Sequence, residues 1–223
     1  MPRLPLFLCF AALFAFAGAH TLLTALETEP AATSRTVVVF GDSITAGGAL
    51  PKHDDVWCMV VERESKGALL MVNEGKGGRP TASVPECEAM FTRHPRIDLL
   101  VLALGTNDSR DITPECVPKA VGNVRKMIER ARATYGPALP VLLVGPPNIN
   151  KSALVASKPI ANEREAKLRE IGDAFSKLAK DIGCKFVSAF GVVPEASMTK
   201  DGVHPDAAGN AAIAHFLIPK LAP

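Results

Sequence analysis

From residue 35 onward this chain predicts an α/β fold, with a five-stranded parallel sheet covered by helices on both faces. Three observations carry that expectation. Five short, mostly apolar runs recur along the chain, helical patterns lie between them, and polar turns containing glycine follow the first three runs. Strands that alternate with helices pack as parallel neighbours joined by right-handed crossovers. Buried parallel strands read as near-continuous apolar runs, as these do.

The runs are residues 36–40, 69–73, 99–104, 140–144 and 185–188. Between the first two, residues 54–66 place Val56, Met59, Val60 and Arg63 at helical spacing. Residues 114–135 open on Pro114, which suits a helix start, and set Val117, Val121, Val124, Ile128 and Ala131 on one stripe. Residues 162–182 open on Asn162 as a cap and carry Ala166, Ile171, Phe175, Leu178 and Ile182. Asp206 caps a last helix containing Ile213, Phe216 and Leu217. There is no internal repeat, and the length of 223 residues suits one domain with a sizeable core.

The N-terminus is a separate object. Arg3 precedes an almost wholly apolar stretch from Leu4 to Phe16, and Ala17-Gly18-Ala19 has the small-x-small form of a cleavage site. Residues 1–19 therefore read as a secretory signal peptide. The alternative is an uncleaved membrane anchor, because the apolar character resumes through Leu22, Leu23 and Leu26. Residues 20–34 read as a linker, and residues 35–223 as the folded domain. Cleavage would remove Arg3 and no acid, lowering the net charge from +2 to +1. With no long basic run, a nucleic-acid partner is not suggested. Cleavage would also leave Cys58, Cys87, Cys116 and Cys184. In an exported protein these either form two disulfides, with Cys87 and Cys116 meeting near the site mouth, or stay as buried thiols. No pair has zinc-site spacing.

Four motifs carry chemistry. Gly41-Asp42-Ser43-Ile44 follows the first run, Asn73-Glu74-Gly75-Lys76-Gly77-Gly78 the second and Gly105-Thr106-Asn107-Asp108 the third, while Asp201-Gly202-Val203-His204-Pro205 leads into the last helix. Ligands of parallel α/β sheets bind beyond the carboxyl ends of the strands, so the first three should gather at one edge. A serine hydroxyl needs a base to take its proton and donors for the oxyanion. His204 is the natural base for Ser43, and Asp201, three residues earlier, is close enough in a tight turn to fix the imidazole tautomer. Asn107 can donate its side-chain amide, and Gly78 its backbone N–H with no side chain to block substrate; the Ser43 N–H is a third donor. Taken singly, each residue has an ordinary reading as a cap, turn or solvated side chain. The ordered set of four favours chemistry. His20, His53, His94 and His215 read as structural or exposed.

These motifs closely resemble those of the SGNH, or GDSL-type, hydrolase family. Its four blocks are matched by Gly41-Asp42-Ser43-Ile44, Asn73-x-Gly75-x-x-Gly78, Gly105-Thr106-Asn107-Asp108 and Asp201-x-x-His204, and the resemblance covers essentially all of residues 35–221. It implies a flavodoxin-like three-layer αβα sandwich. It also implies Ser43 as nucleophile, His204 as base, Asp201 as its orienting acid, and Gly78, Asn107 and the Ser43 N–H as the oxyanion hole. Lys76 and Arg79 give the second block a basic character with no assigned substrate. The G-x-S-x-G elbow of the α/β-hydrolases is absent.

The expected activity is exported serine ester hydrolysis through an acyl-enzyme, on short-chain acyl esters such as acetylated carbohydrate, without metal or cofactor. The expected partner is a small-molecule or carbohydrate ester, with membrane contact only if the N-terminal segment anchors the chain. A lysophospholipase- or thioesterase-type activity is the alternative, and a non-catalytic binding module on the same fold a further one. Nucleotide or flavin binding has little support, since Gly75-Lys76-Gly77-Gly78-Arg79 matches neither phosphate-loop pattern.

Overall fold

A computed structural model of the chain describes residues 34–48, 50–155 and 160–222. The signal-peptide segment and, apart from Ser34, the linker lie outside the described residues. The elements run β1 (Arg35–Gly41), α1 (Ser43–Ala46), α2 (Trp57–Glu64), β2 (Leu69–Gly75), α3 (Val84–Arg93), β3 (Leu99–Ala103), α4 (Cys116–Tyr135), β4 (Val141–Gly145), α5 (Lys151–Val155), α6 (Ala161–Ile182), β5 (Lys185–Ser188) and α7 (Ala207–Leu221). All strand pairs are parallel, in the order β2-β1-β3-β4-β5. This is the flavodoxin-like order, in which the chain reverses its direction of winding between β1 and β3.

The two faces of β1 divide the core. Val38 and Phe40 point to one side, where α3, α4 and α6 supply Met90, Val124, Ile128, Ile171 and Phe175. Val37 and Val39 point to the other, against Trp57, Val60 and Val61 of α2 and Ile213, Ala214 and Leu217 of α7. Both faces are thus covered, which explains the unbroken apolar runs. Strand register places the site. Gly41 is level with Gly75 of β2 and with Ala103 of β3, so the loops that follow these three strands leave the sheet side by side.

Several local expectations differ from the structure. Helix α3 is absent from the periodic reading, although Pro85 in its first turn and buried Cys87, Met90 and Phe91 mark it; its buried stripe spans little more than one turn. In α2 the buried face runs through Trp57, Cys58, Val60 and Val61, and Arg63 is exposed, because the first part of the expected helix is a 3-10 turn at His53–Asp55 that shifts the phase. Asn162 lies inside α6, not at its cap: the helix starts one residue earlier, after Ile160. Ala166 is exposed, and buried Arg164 and Leu168 lead the α6 stripe instead. Pro114 sits in a turn just ahead of α4, which begins at Cys116.

Cys58, Cys87, Cys116 and Cys184 are free thiols. Cys87 and Cys116 belong to the core beneath α3 and α4 rather than to a site mouth. Burial pushes the Cys87 thiol up to about 12, which leaves it unreactive as a nucleophile.

Candidate active site

The Ser43 turn is built by its neighbours. The Asp42 carboxylate leaves the strand and accepts the Ile44 N–H at 2.9 Å, capping the short helix α1 with Ser43 at its first position. Gly47, at φ +77°, ends that helix. Asn73 then fastens the second motif beneath the first. Its Nδ2 donates to the Thr45 carbonyl at 2.7 Å and its Oδ1 accepts the Gly75 N–H at 2.9 Å.

The fourth motif is an equally tied turn. Asp201 Oδ1 accepts the Val203 N–H at 2.8 Å, the His204 N–H at 2.9 Å and the Thr199 hydroxyl at 2.9 Å. Gly202 has φ +68°, and a Cβ there would come within 2.6 Å of the Asn150 carbonyl, so only glycine fits. Buried Asn210 of α7 donates to the carbonyls of Pro205 and Asp206 at 3.1 and 3.0 Å, and so braces the turn from below.

These two turns bring three side chains into line. Asp201 Oδ2 lies 2.5 Å from His204 Nδ1, and His204 Nε2 lies 2.8 Å from Ser43 Oγ. Burial works against ionised Asp201, but hydrogen bonds from the His204 ring, the His204 and Val203 N–H groups and Thr199 outweigh it. Together they hold its carboxyl well below the usual carboxylate range. A carboxylate only accepts, so the imidazole proton belongs on Nδ1 and the Nε2 lone pair faces the serine hydroxyl.

A family model for GDSL-like lipases and acylhydrolases matches residues 39–212. The chain belongs to this family. No curated protein matches it. Among solved structures, a protein from Agrobacterium tumefaciens str. C58, provisionally described as an arylesterase, is 27% identical with a TM-score of 0.71, over 84% of this chain and 98% of its own. A carbohydrate acetylesterase family member from Sinorhizobium meliloti is 23% identical with a TM-score of 0.70, over 84% of this chain and 97% of its own. The aryl esterase of M. smegmatis is 23% identical with a TM-score of 0.69, over 84% of this chain and 98% of its own. Membership makes this GDSL-like protein an ester hydrolase of the SGNH type.

The remaining motif residues of the GDSL-like domain stand on adjacent loops. Asn107 Nδ2 donates to the Arg79 carbonyl at 3.1 Å, which ties the third motif to the end of the second. Gly78, next in sequence to Arg79, has φ +72°, and a Cβ there would meet nothing within 4 Å, so its exposed backbone borders open space. Asp108 accepts both the N–H and the hydroxyl of Thr81, the latter at 2.5 Å. Arg164 reaches the same loop from α6, its Nε donating to Ser109 Oγ and its NH2 to the Thr106 carbonyl, each at 3.1 Å. Asp108 and Arg164 have no role in the sequence reading. Asp108 is in a recognised motif, but nothing local shows what its carboxylate holds, and Arg164 is 55 residues from its partner Ser109.

The other histidines take no part in the site. His94 pairs with Glu74 at 2.6 Å, His215 with Glu64 at 3.1 Å, and His53 is exposed; His20 lies outside the described residues. Among the described residues no three His, Cys, Asp or Glu side chains are grouped to hold a metal ion. The loop after β4 reaches the His204 turn, with the Asn150 N–H donating to the Gly202 carbonyl at 2.8 Å.

Asp42 gives the site a pH signature. Burial raises its pKa to about 6, against the opposing hydrogen bonds of Ile44 and Thr106 and the nearby His204. The native state therefore binds a proton that the unfolded state has released between about pH 4 and 6. Stability from this group is present at low pH and lost as pH rises through that window, by on the order of 2–3 kcal/mol. Asp42→Asn keeps an acceptor for Ile44 and removes the ionisation. Urea unfolding at pH 4 and pH 7 is expected to show the wild type losing this much more than the variant. Equal pH dependence in the two proteins would refute the assignment.

Proposed function

We propose that this protein is an exported serine esterase that removes short acyl groups, such as acetyl from carbohydrate, through an acyl-enzyme. The alignment of Asp201, His204 and Ser43 carries the catalytic part of the reading. Ser43 Oγ attacks the acyl carbonyl carbon while His204 Nε2 takes the hydroxyl proton. The negative oxygen of the tetrahedral intermediate takes hydrogen bonds from the Ser43 N–H, the Gly78 N–H and the Asn107 amide hydrogen not given to Arg79. Collapse breaks the ester C–O bond, and His204 returns the proton to the leaving alcohol. Water then attacks the acyl-enzyme with His204 again as base, releasing the acid and restoring Ser43.

The acetylesterase name among the neighbouring structures supports short acyl chains. Neighbouring structures are called a carbohydrate acetylesterase and an aryl esterase. Export rests on the signal-like residues 1–19 alone.

The test compares kcat/KM on p-nitrophenyl acetate and p-nitrophenyl decanoate, together with acetate release from acetylated xylan. We expect acetate to be favoured by about tenfold or more, at roughly 1.4 kcal/mol per factor of ten. A preference for decanoate would replace this reading with the lysophospholipase or thioesterase type. Protein recovered from its native envelope or medium is expected to begin near His20. An N-terminus at Met1 would favour anchoring.

A further inference from the structure

The basic character of the second motif has two different origins. Lys76 is 60% exposed and pairs with Glu86 on the surface. Arg79 is only 6% exposed, and its guanidinium points into the protein. NH1 donates to the Gly41 carbonyl at 2.8 Å and to the Glu74 carbonyl, while Nε and NH2 donate to Glu86 at 3.3 and 3.2 Å. The guanidinium carbon lies 3.9 Å from the centre of the Phe40 ring. Gly41 and Glu74 are at the carboxyl ends of β1 and β2, and the Gly41 carbonyl also accepts the Lys76 N–H at 3.2 Å. One planar cation therefore clamps the two strand ends from which the Ser43 turn and the Gly78 turn depart. The carbonyl of the same residue accepts the Asn107 amide at 3.1 Å. A single residue thus links the first, second and third motifs.

We propose that Arg79 is the positioning residue of the oxyanion hole, fixing Gly78 and Asn107 relative to Ser43 without touching substrate. The inference rests on the hydrolase reading above. A buried cation is costly unless every donor finds an acceptor. Here Glu86, two carbonyls and an aromatic face supply them, and a planar fork with donors on three nitrogens is what that set requires. Lysine has one nitrogen and cannot span Glu86 and both strand ends. Donors aimed at a developing oxyanion act in the transition state, so loosening them lowers kcat while leaving KM nearly unchanged.

The experiment is a double-mutant cycle of Arg79→Lys with Asn107→Ala, read in kcat and KM on p-nitrophenyl acetate. Asn107→Ala is expected to cost about 10²- to 10³-fold in kcat, and Arg79→Lys roughly 30-fold or more with KM within about threefold. The double variant is expected to lose clearly less than the product of the two single losses, because part of the Arg79 effect runs through Asn107 and only the part through Gly78 remains. Effects that multiply, or a loss confined to KM, would overturn the positioning role. Should Arg79→Lys not fold, Glu86→Gln, which keeps the carbonyl contacts but removes the counter-charge, is expected to show the same coupling at a loss of about fivefold, and additivity there would overturn the role equally. A folded wild type inactive on every ester would overturn the hydrolase reading and this role with it, whereas an active wild type with an additive cycle overturns this role alone.

Discussion

Ser43→Ala is expected to lower kcat on an ester substrate by about 10⁴- to 10⁶-fold, and His204→Ala by a similar factor. The physical reason is that the two act as one unit. With Nδ1 bound to Asp201 at 2.5 Å and Nε2 at 2.8 Å from Ser43 Oγ, neither the base nor the nucleophile has another partner for proton transfer among the described residues. The double variant should be scarcely worse than either single one. Asp201→Asn is expected to cost about 10⁴-fold, at the low end of that range, because an amide no longer holds the imidazole proton on Nδ1. A fluorescent serine-directed phosphonate gives the direct check. It should label Ser43 in the wild type and lose nearly all labelling in His204→Ala. Full activity of Ser43→Ala would remove Ser43 as nucleophile. Absence of any adduct on folded wild type would favour a binding module.

Gly75→Ala is expected to be the most damaging conservative change in the motifs. A Cβ on Gly75 would lie 2.6 Å from the Thr45 carbonyl carbon and 2.8 Å from Ala46 Cα, and closer still to the Ala46 nitrogen. All three are backbone atoms of the helix that carries Ser43, so no side chain can rotate away. Relief requires moving either β2 or α1. Overpacking of this kind costs about 1–3 kcal/mol, and more where backbone is the obstacle. We expect a loss of about 3 kcal/mol in urea unfolding, and a fall in kcat from displacement of Ser43. Gly78→Ala is the contrast. Its Cβ would meet open space, so its cost is limited to the left-handed backbone at φ +72°. Equal stability of Gly75→Ala and wild type would show that α1 does not rest on β2.

Much of the sheet was legible because the central strands β1, β3 and β4 are buried on both faces. Val37 to Phe40, Leu99 to Leu102 and Val141 to Val144 are apolar without interruption, a pattern no exposed element would keep. The proposed catalytic set was legible because the chemistry demands particular residue types, and Ser43, Asp201 and His204 lie in short turns that follow local rules. Helix α3 was less legible, as Cys87, Met90 and Phe91 are too few for a clear period. The phase of α2 was misread because the His53–Asp55 turn lies inside the apparent helical pattern.

What the sequence determined by itself is therefore local: which segments are strands, which turns need glycine, and which side chains could carry acyl transfer. The tertiary structure alone decided where those parts point. Lys76 and Arg79 are near neighbours of the same charge, yet one meets solvent and the other the carbonyls of Gly41 and Glu74. That outcome depends on β1 and β2 ending level, with Gly41 beside Gly75. It depends as well on Glu86 arriving from α3 to neutralise the guanidinium. Register is a long-range property, set by packing across the sheet, and no short window of residues around Arg79 contains Gly41.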